Sequence, residues 1–317
     1  MIDDPNEIEW LSAVAGAPVV AAEPCRWGFE NRTAIATLQD GRRLVIQRIS
    51  NRARAAHKLH LARVLPERLA AAGLRAPRLL AADAEAEPPY AVREYLPGDS
   101  AANLMGTIEG ACAVARAMGA LLPRLALLQA AGAGLGDEWA SPASLQRHAE
   151  SMLARRQALL GDAAGVALQA TVAELTPLFA GRQPAFAHGD FCPVNALLEV
   201  GVWRRQDSED LPGSSLQPLA PGVVGLLDFE FSRLADPLFD VAWWGWVVRY
   251  HHAERWVRAW PQLLAAAGIP GDQATAARVR VIQRLRCLEM IDEAAMARND
   301  AALEMWLGRL RTTLEWQ

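Results

Sequence analysis

The sequence predicts an α+β protein in two parts, a small β-rich N-terminal segment and a longer, mainly helical one. Three observations carry this. Two alternating stretches, 31–38 and 42–49, flank Gln39-Asp40-Gly41, and Asp-Gly between such runs is a strong hairpin signal. From residue 101 onward, Ala- and Leu-rich stretches dominate. Within that second part, the apolar runs Ala196-Leu197-Leu198 and Val223–Leu227 frame a compact group of polar residues and read as a second hairpin.

The elements follow in order. Residues 1–26 alternate short apolar and Gly/Pro pieces, with a short helix near Pro5–Val14. After the first hairpin, Arg, Ala and Leu recur at helical spacing over 52–72, and Gly73 serves as the C-cap. Pro77–Ala82 and Tyr90–Leu96 read as strands, the second ending at Pro97-Gly98. Helices are expected over 107–131, 141–160 and 163–180, then over 241–267, 272–297 and 299–315. The Gly-, Pro-, Ser- and charge-rich 201–222 segment reads as a long surface loop. Two domains are expected, 1–96 and 97–317, with a polar loop at 186–200 and an acidic motif at 226–241 in the second.

Composition narrows the function classes. At 317 residues, 52% hydrophobic and 21% charged, the chain is an ordinary globular protein with room for two cores. A net charge of −4 argues against nucleic acid or an anionic membrane as partner. Met1-Ile2-Asp3-Asp4 lacks a basic leader region, and the apolar run Val241–Val248 is too short to span a bilayer. Cys25, Cys112, Cys192 and Cys287 are widely spaced, as reduced thiols of a cytoplasmic protein would be. Lys58 is the sole lysine among 32 basic residues, which reads as a coding bias toward arginine.

Chemistry concentrates at His188-Gly189-Asp190-Phe191-Cys192-Pro193-Val194-Asn195 and at Asp228-Phe229-Glu230. Asp190 can accept a proton. Asn195 and Asp228 offer the hard oxygens that Mg²⁺ prefers. An Asp, an Asn five residues on and a later Asp are the parts kinases use for phosphoryl transfer. A metal-dependent phosphoesterase would need several ligand histidines, and none of the six here has such spacing.

With Ala235-Asp236-Pro237-Leu238-Phe239-Asp240-Val241-Ala242 downstream, these residues resemble the aminoglycoside phosphotransferase and choline kinase superfamily. Its pattern is HGD-x4-N, then D-x-E/D and a G-D-P-x-x-D-L-A-like run. The resemblance is strong over 186–245 and weaker over 27–98. Ala235 stands where the family has Gly.

The resemblance implies a bilobal protein-kinase-like fold with Mg²⁺ and ATP. It implies Asp190 as catalytic base, Asn195 and Asp228 as Mg²⁺ ligands, His188 orienting the loop, and Glu230 supporting the metal or binding substrate. On the nucleotide side it implies Asn31 at the phosphates, Val45 at adenine, and hinge contacts at Glu94 and Leu96. Leu197 and Leu227 would form the adenine floor or simply pack the core. Gln47 sits where the family carries Lys or Arg. Either Gln47 donates to phosphate, or Arg48 reaches in across a strand irregularity; Glu67 is the one acid in the next helix to partner such a cation.

The acceptor is expected on the helical part. Glu289, Asp292 and Glu293, spaced i, i+3, i+4, repel one another and would suit a cationic substrate, unless Arg286 already balances them or the face is solvated. Trp243, Trp244, Trp246 and Tyr250 form either a wall for a sugar ring or a core. The resulting reading is ATP-dependent O-phosphorylation of a small hydroxylated molecule, such as an aminoglycoside. A sugar or amino-alcohol kinase and a weakened nucleotide-binding scaffold are the alternatives.

Overall fold

Helix α1 (Pro5–Ala15) opens the chain in the computed structural model, which describes residues 2, 4–25, 32–128, 132–199 and 222–316. The Asp4 carboxylate caps it by accepting from the Asn6 N–H. Strand β1 (Val19–Pro24), unforeseen among the short apolar pieces, pairs antiparallel with β2 (Arg32–Leu38). β2 and β3 (Arg43–Arg48) form the predicted hairpin, with Gly41 at φ 82° where a Cβ would be strained. Helix α2 (Arg52–Ala71) follows, then β4 (Leu79–Asp83) and β5 (Tyr90–Glu94). The resulting antiparallel sheet has the order β1-β2-β3-β5-β4.

Strand alternation divides this sheet between two helices. Leu44, Ile46 and Val92 bury one face together with Leu11 of α1. The other face carries Ile49 and Ala91, which pack with Ala55 and Leu59 of α2. Val45 and Gln47 alternate onto that second face.

The remaining elements are β6 (Asp99–Ser100), α3 (Ile108–Gly119), α4 (Leu122–Ala126), α5 (Pro142–Leu160), α6 (Asp162–Ala173), α7 (Leu175–Phe179), β7 (Ala185–Ala187), β8 (Ala196–Leu198), β9 (Val223–Leu226), β10 (Arg233–Ala235), α8 (Phe239–His251), α9 (Ala253–Ala267), α10 (Gln273–Met296) and α11 (Asp300–Glu315). Three predicted helices are each split in two. Pro123 and Pro177 lack an N–H, and their rings crowd the carbonyls of Gly119 and Ala173, which separates α3 from α4 and α6 from α7. The third split comes at His252, outside helical dihedrals, and lets α9 fold back on α8. There Gly245 faces Trp260, and a Cβ on it would meet the indole at 2.6 Å.

The chain divides into two compact units. The first comprises Met1–Gly106, Ala131–Gly134 and Pro193–Glu230. It holds the five-stranded sheet, α1, α2 and a three-stranded sheet of order β6-β8-β9. The second comprises Thr107–Ala130, Leu135–Cys192 and Phe231–Gln317 and is helical apart from the β7–β10 pair. One of its cores joins Met152, Leu168, Trp243, Trp246, Leu288 and Trp306. Trp243 and Trp246 stack with ring centroids 5.0 Å apart, so these aromatics are core packing. No described helix is long and apolar enough to cross a membrane.

Candidate functional site

The predicted second hairpin is present in the first unit. β8 and β9 pair antiparallel with Ala196 opposite Leu226, and the Leu227 N–H donates to the Asn195 carbonyl (2.8 Å). The backbones of Asn195 and Asp228 are therefore neighbours at one end of the hairpin. Asp228 has φ 58°, a left-handed conformation that Asp and Asn tolerate better than other side chains. An amide oxygen and a carboxylate fit Mg²⁺, which takes few protein ligands and fills its shell with water and phosphate oxygens. Among the described residues no cluster of three His, Cys, Asp or Glu offers a rival metal site.

The hinge segment packs on the same hairpin. A Cβ on Gly225 would meet Leu96 Cδ1 at 2.7 Å, and one on Gly98 would meet the Leu198 carbonyl at 2.9 Å. Leu96 and Leu197 thus converge on Gly225, while Leu227 extends from the end of the same strand. The Glu94 N–H donates to the Arg78 carbonyl (2.9 Å), so any contact of its backbone to a base runs through the Glu94 carbonyl. Burial pushes the Glu94 carboxyl up, but hydrogen bonds from Arg75 and Arg78 outweigh it and hold it low.

The β3 assignments divide. Val45 and Gln47 share the α2 face, as alternation predicts. Gln47 Nε2 reaches Thr33 Oγ1 at 3.5 Å, and its buried Oε1 has no hydrogen-bond partner among the described residues. Arg48 is a correction. The β2–β3 register runs without a bulge, so Arg48 points to the opposite face. There it pairs with Glu7 at 2.6 Å and lies over Trp10 at 3.9 Å. Glu67 is exposed and partners no site cation. Asn31 lies outside the described residues.

The cations beside the acidic motif come from elsewhere. Lys58 of α2 is 3% exposed, with Nζ 2.5 Å from Glu230 Oε2 and 3.6 Å from Asp228 Oδ1. Arg93 lies opposite Val45 in the β3–β5 register and so shares its face. Desolvation lowers the Arg93 guanidinium from its ordinary value, against the opposing pull of Asp228 and Glu230. Sequence reading passed over both residues, although a lone lysine in a chain otherwise served by arginine was a usable signal.

In the second unit the loop bearing Asp190 is fixed from below. Buried Asp240 accepts from the backbone N–H groups of His188 (2.7 Å) and Gly189 (3.0 Å). Burial raises the Asp240 carboxyl, with His188 and those two hydrogen bonds pulling the other way. Gly189 has φ 84°, and a Cβ there would collide with the Phe231 carbonyl, so only glycine fits between His and Asp. His188 is fully buried, and its Nδ1 accepts from the Asp190 N–H at 3.3 Å. The Asp190 carboxylate is held as well: its Oδ1 accepts from Trp243 Nε1 at 2.7 Å and, weakly, from the Cys192 thiol at 3.7 Å. No sequence pattern announces the Trp243 contact, which spans 53 residues.

The acidic face of α10 is a second correction. Its Glu289 and Asp292 are neither solvated nor awaiting a cation from outside. Glu289 is buried and accepts from Arg233 (2.8 Å), from Arg286 and from Trp139 Nε1 (3.2 Å). Burial pushes its carboxyl up, but Arg233 and Arg286 outweigh that and hold it well below the usual carboxylate range. Asp292 is paired with Arg155 and Arg156, each at 2.7 Å. Burial opposes the charge of Arg286 too, yet Glu289, Glu293 and Asp190 together hold it protonated. The repulsion read from the i, i+3, i+4 spacing is answered by Arg286 of the same helix, the local alternative the sequence offered, and by Arg233, Arg155 and Arg156, which folding brings in.

No curated protein matches the sequence. Solved structures match the whole chain at low identity. The GDP and kanamycin complex of APH(2")-IIia is 14% identical with a TM-score of 0.72, covering 98% of both chains. The macrolide 2'-phosphotransferase MphH from Brachybacterium faecium is 18% identical with a TM-score of 0.67, covering 96% of this chain and 97% of that one. The ternary complex of a thermostable mutant of the aminoglycoside phosphotransferase APH(4)-Ia with ADP and hygromycin B is 15% identical, with a TM-score of 0.70 and 97% coverage of both. They share the bilobal, protein-kinase-like α+β fold that the motifs imply. A family described as "Phosphotransferase enzyme family" matches residues 21–205, more than half of the sequence, and the chain belongs to that family.

Proposed function

We propose that this phosphotransferase moves the terminal phosphoryl group of Mg²⁺-bound ATP to a hydroxyl of a small molecule. The observation that carries the reading is the β8–β9 hairpin, which sets Asn195, five residues after Asp190, beside Asp228. Asn195 and Asp228 would hold Mg²⁺, which when bound neutralises phosphate charge. Asp190 orients the acceptor hydroxyl and takes its proton. Trp243 and the Asp240-pinned backbone hold that carboxylate in place, so catalysis rests on positioning. Val45, Gln47, the Glu94 carbonyl, Leu96, Leu197 and Leu227 form the nucleotide side.

The acceptor class stays broad. Glu289 and Asp292 are neutralised within the fold, which removes the reason to favour a polycation such as an aminoglycoside over a neutral sugar or a macrolide. Glu230 pairs with Lys58 at 2.5 Å. The scaffold alternative drew on the lack of a lysine on β3, and two cations stand beside the motif all the same. Four free cysteines support a cytoplasmic setting.

Turnover with ATP or GTP across aminoglycosides, macrolides, sugars and amino alcohols tests the reading. Phosphate transfer to none of them, with no slow ATP hydrolysis, would sink it. Two substitutions sharpen the assignment. Mg²⁺-ATP is expected to raise the melting temperature, because it binds only the folded state. Asp228→Ala is expected to abolish the Mg²⁺-dependent part of that rise; an unchanged rise removes Asp228 from the metal site. Trp243→Phe keeps an aromatic ring in the stack, though a smaller one than indole, and deletes the N–H bound to Asp190. It is expected to lower kcat about tenfold with KM for ATP unchanged, the scale of a lost hydrogen bond to a charged group. Unaltered kcat would make the 2.7 Å contact incidental.

A further inference from the structure

The chain's one lysine is buried at its acidic motif, not on a strand. A buried ammonium persists only with close counter-charge, and Lys58 has it in Glu230 at 2.5 Å and Asp228 at 3.6 Å. Arg93 feels the same two carboxylates and lines the same small cleft as Lys58, Phe229 and Glu230. Two cations thus balance two carboxylates before any ligand arrives. Strand β3 offers no cation at Gln47, which is neutral: Arg43 shares this face two positions before Val45 but is tied to Glu23 (2.6 Å) and Tyr95 (3.0 Å), and Arg48 is committed to Glu7 on the other face.

We propose that Lys58 is the polyphosphate ligand of this enzyme, delivered from helix α2 in place of the cation missing at the Gln47 position of strand β3. The proposal rests on the phosphotransferase reading above. A divalent cation at Asp228 would repel an ammonium 3.6 Å from that carboxylate, while a nucleoside triphosphate brings a cluster of anionic oxygens. A lysine has a flexible four-carbon stem and a compact point charge, so it can change partners by rotamer alone. Arg93, fixed on β5, stays behind as the counter-charge to Glu230. Lys58 therefore has two stations: the carboxylates of the motif without nucleotide, and the phosphate chain with it.

Calorimetric titration of Lys58→Gln tests this. The probes are Mg²⁺-ATP and Mg²⁺-GTP, with adenosine and guanosine as phosphate-free controls. Triphosphate affinity is expected to fall about ten- to a hundredfold, as for loss of a charge-assisted contact, while nucleoside affinity changes by less than about twofold. Lys58→Gln leaves Glu230 short of a partner, so Lys58→Gln/Glu230→Gln is compared with Glu230→Gln as a stability-matched pair. The same loss is expected between those two. Triphosphate affinity unchanged within about twofold in either comparison overturns the proposal. Wild-type protein that binds and turns over triphosphate while Lys58→Gln does so equally well overturns Lys58 alone. Wild-type protein that binds neither triphosphate overturns the phosphotransferase reading with it.

Discussion

Asp190→Asn is expected to lower kcat by about a hundred- to ten-thousandfold, the range for loss of a positioned general base. The substitution separates chemistry from structure because of how Asp190 is held. Asparagine keeps an oxygen to accept from Trp243 Nε1, now 2.7 Å away, and keeps the N–H that donates to His188 Nδ1. The loop itself hangs on Asp240, through the N–H groups of His188 and Gly189, and that anchor is untouched. What asparagine cannot do is accept the acceptor's proton, since an amide NH₂ replaces the second carboxylate oxygen. KM for ATP is expected to stay within about threefold, because the nucleotide is held by other residues. Steady-state kinetics on the first acceptor found by the panel would measure both. Near-normal kcat in a folded Asp190→Asn protein would remove the base assignment, and a KM that rises with kcat unchanged would move Asp190 to binding.

The local chemistry was legible because it is written in short spans. Asp40-Gly41 specified the first hairpin, and the apolar runs around Asn195 and Asp228 specified the second. His-Gly-Asp demands glycine for a local backbone reason visible at φ 84°. Strand alternation placed Val45 and Gln47 on one face, and the same rule, applied strictly, would have excluded Arg48. Helix continuity misled where proline lay inside an Ala/Leu-rich pattern, at Pro123 and Pro177, because periodicity alone ignores a missing N–H. What no window could supply was pairing across distance. Trp243 reaches Asp190 over 53 residues, Arg233 reaches Glu289 over 56, and Arg155 reaches Asp292 over 137. Lys58 was misread for a different reason. Its rarity was taken as composition, and nothing near it in the sequence places it against Asp228 and Glu230.

Glu289→Gln is expected to cost about 3–5 kcal/mol of stability, the largest structural effect of any single substitution considered. The carboxylate is 10% exposed and answers two guanidiniums, Arg233 and Arg286, besides the Trp139 N–H. Glutamine has nearly the same shape, so packing is conserved and the loss is electrostatic: two buried cations keep their desolvation penalty and lose the carboxylate nearest to them. At roughly 2–4 °C per kcal/mol for a chain of this class, the melting temperature should drop by about 6–20 °C. Removing a cation at the same time should restore part of the loss, so Glu289→Gln/Arg286→Met is expected to be milder than the sum of its parts. Acid dependence gives a second readout. Glu289 and Asp292 have carboxyl pKa values held below their unfolded ones, so their stabilisation is present above the ordinary carboxylate range and is lost as pH falls through the lower folded values. The wild type should therefore lose stability on acidification, whereas Glu289→Gln, already without that contribution, should show a shallower dependence. A Glu289→Gln protein that melts within about 2 °C of wild type, with the same acid slope, would mean that Arg233 and Arg286 find their balance elsewhere. In that case α10 would again offer Glu289 as a candidate acceptor-binding carboxylate, and the cationic acceptor would return as the favoured substrate class.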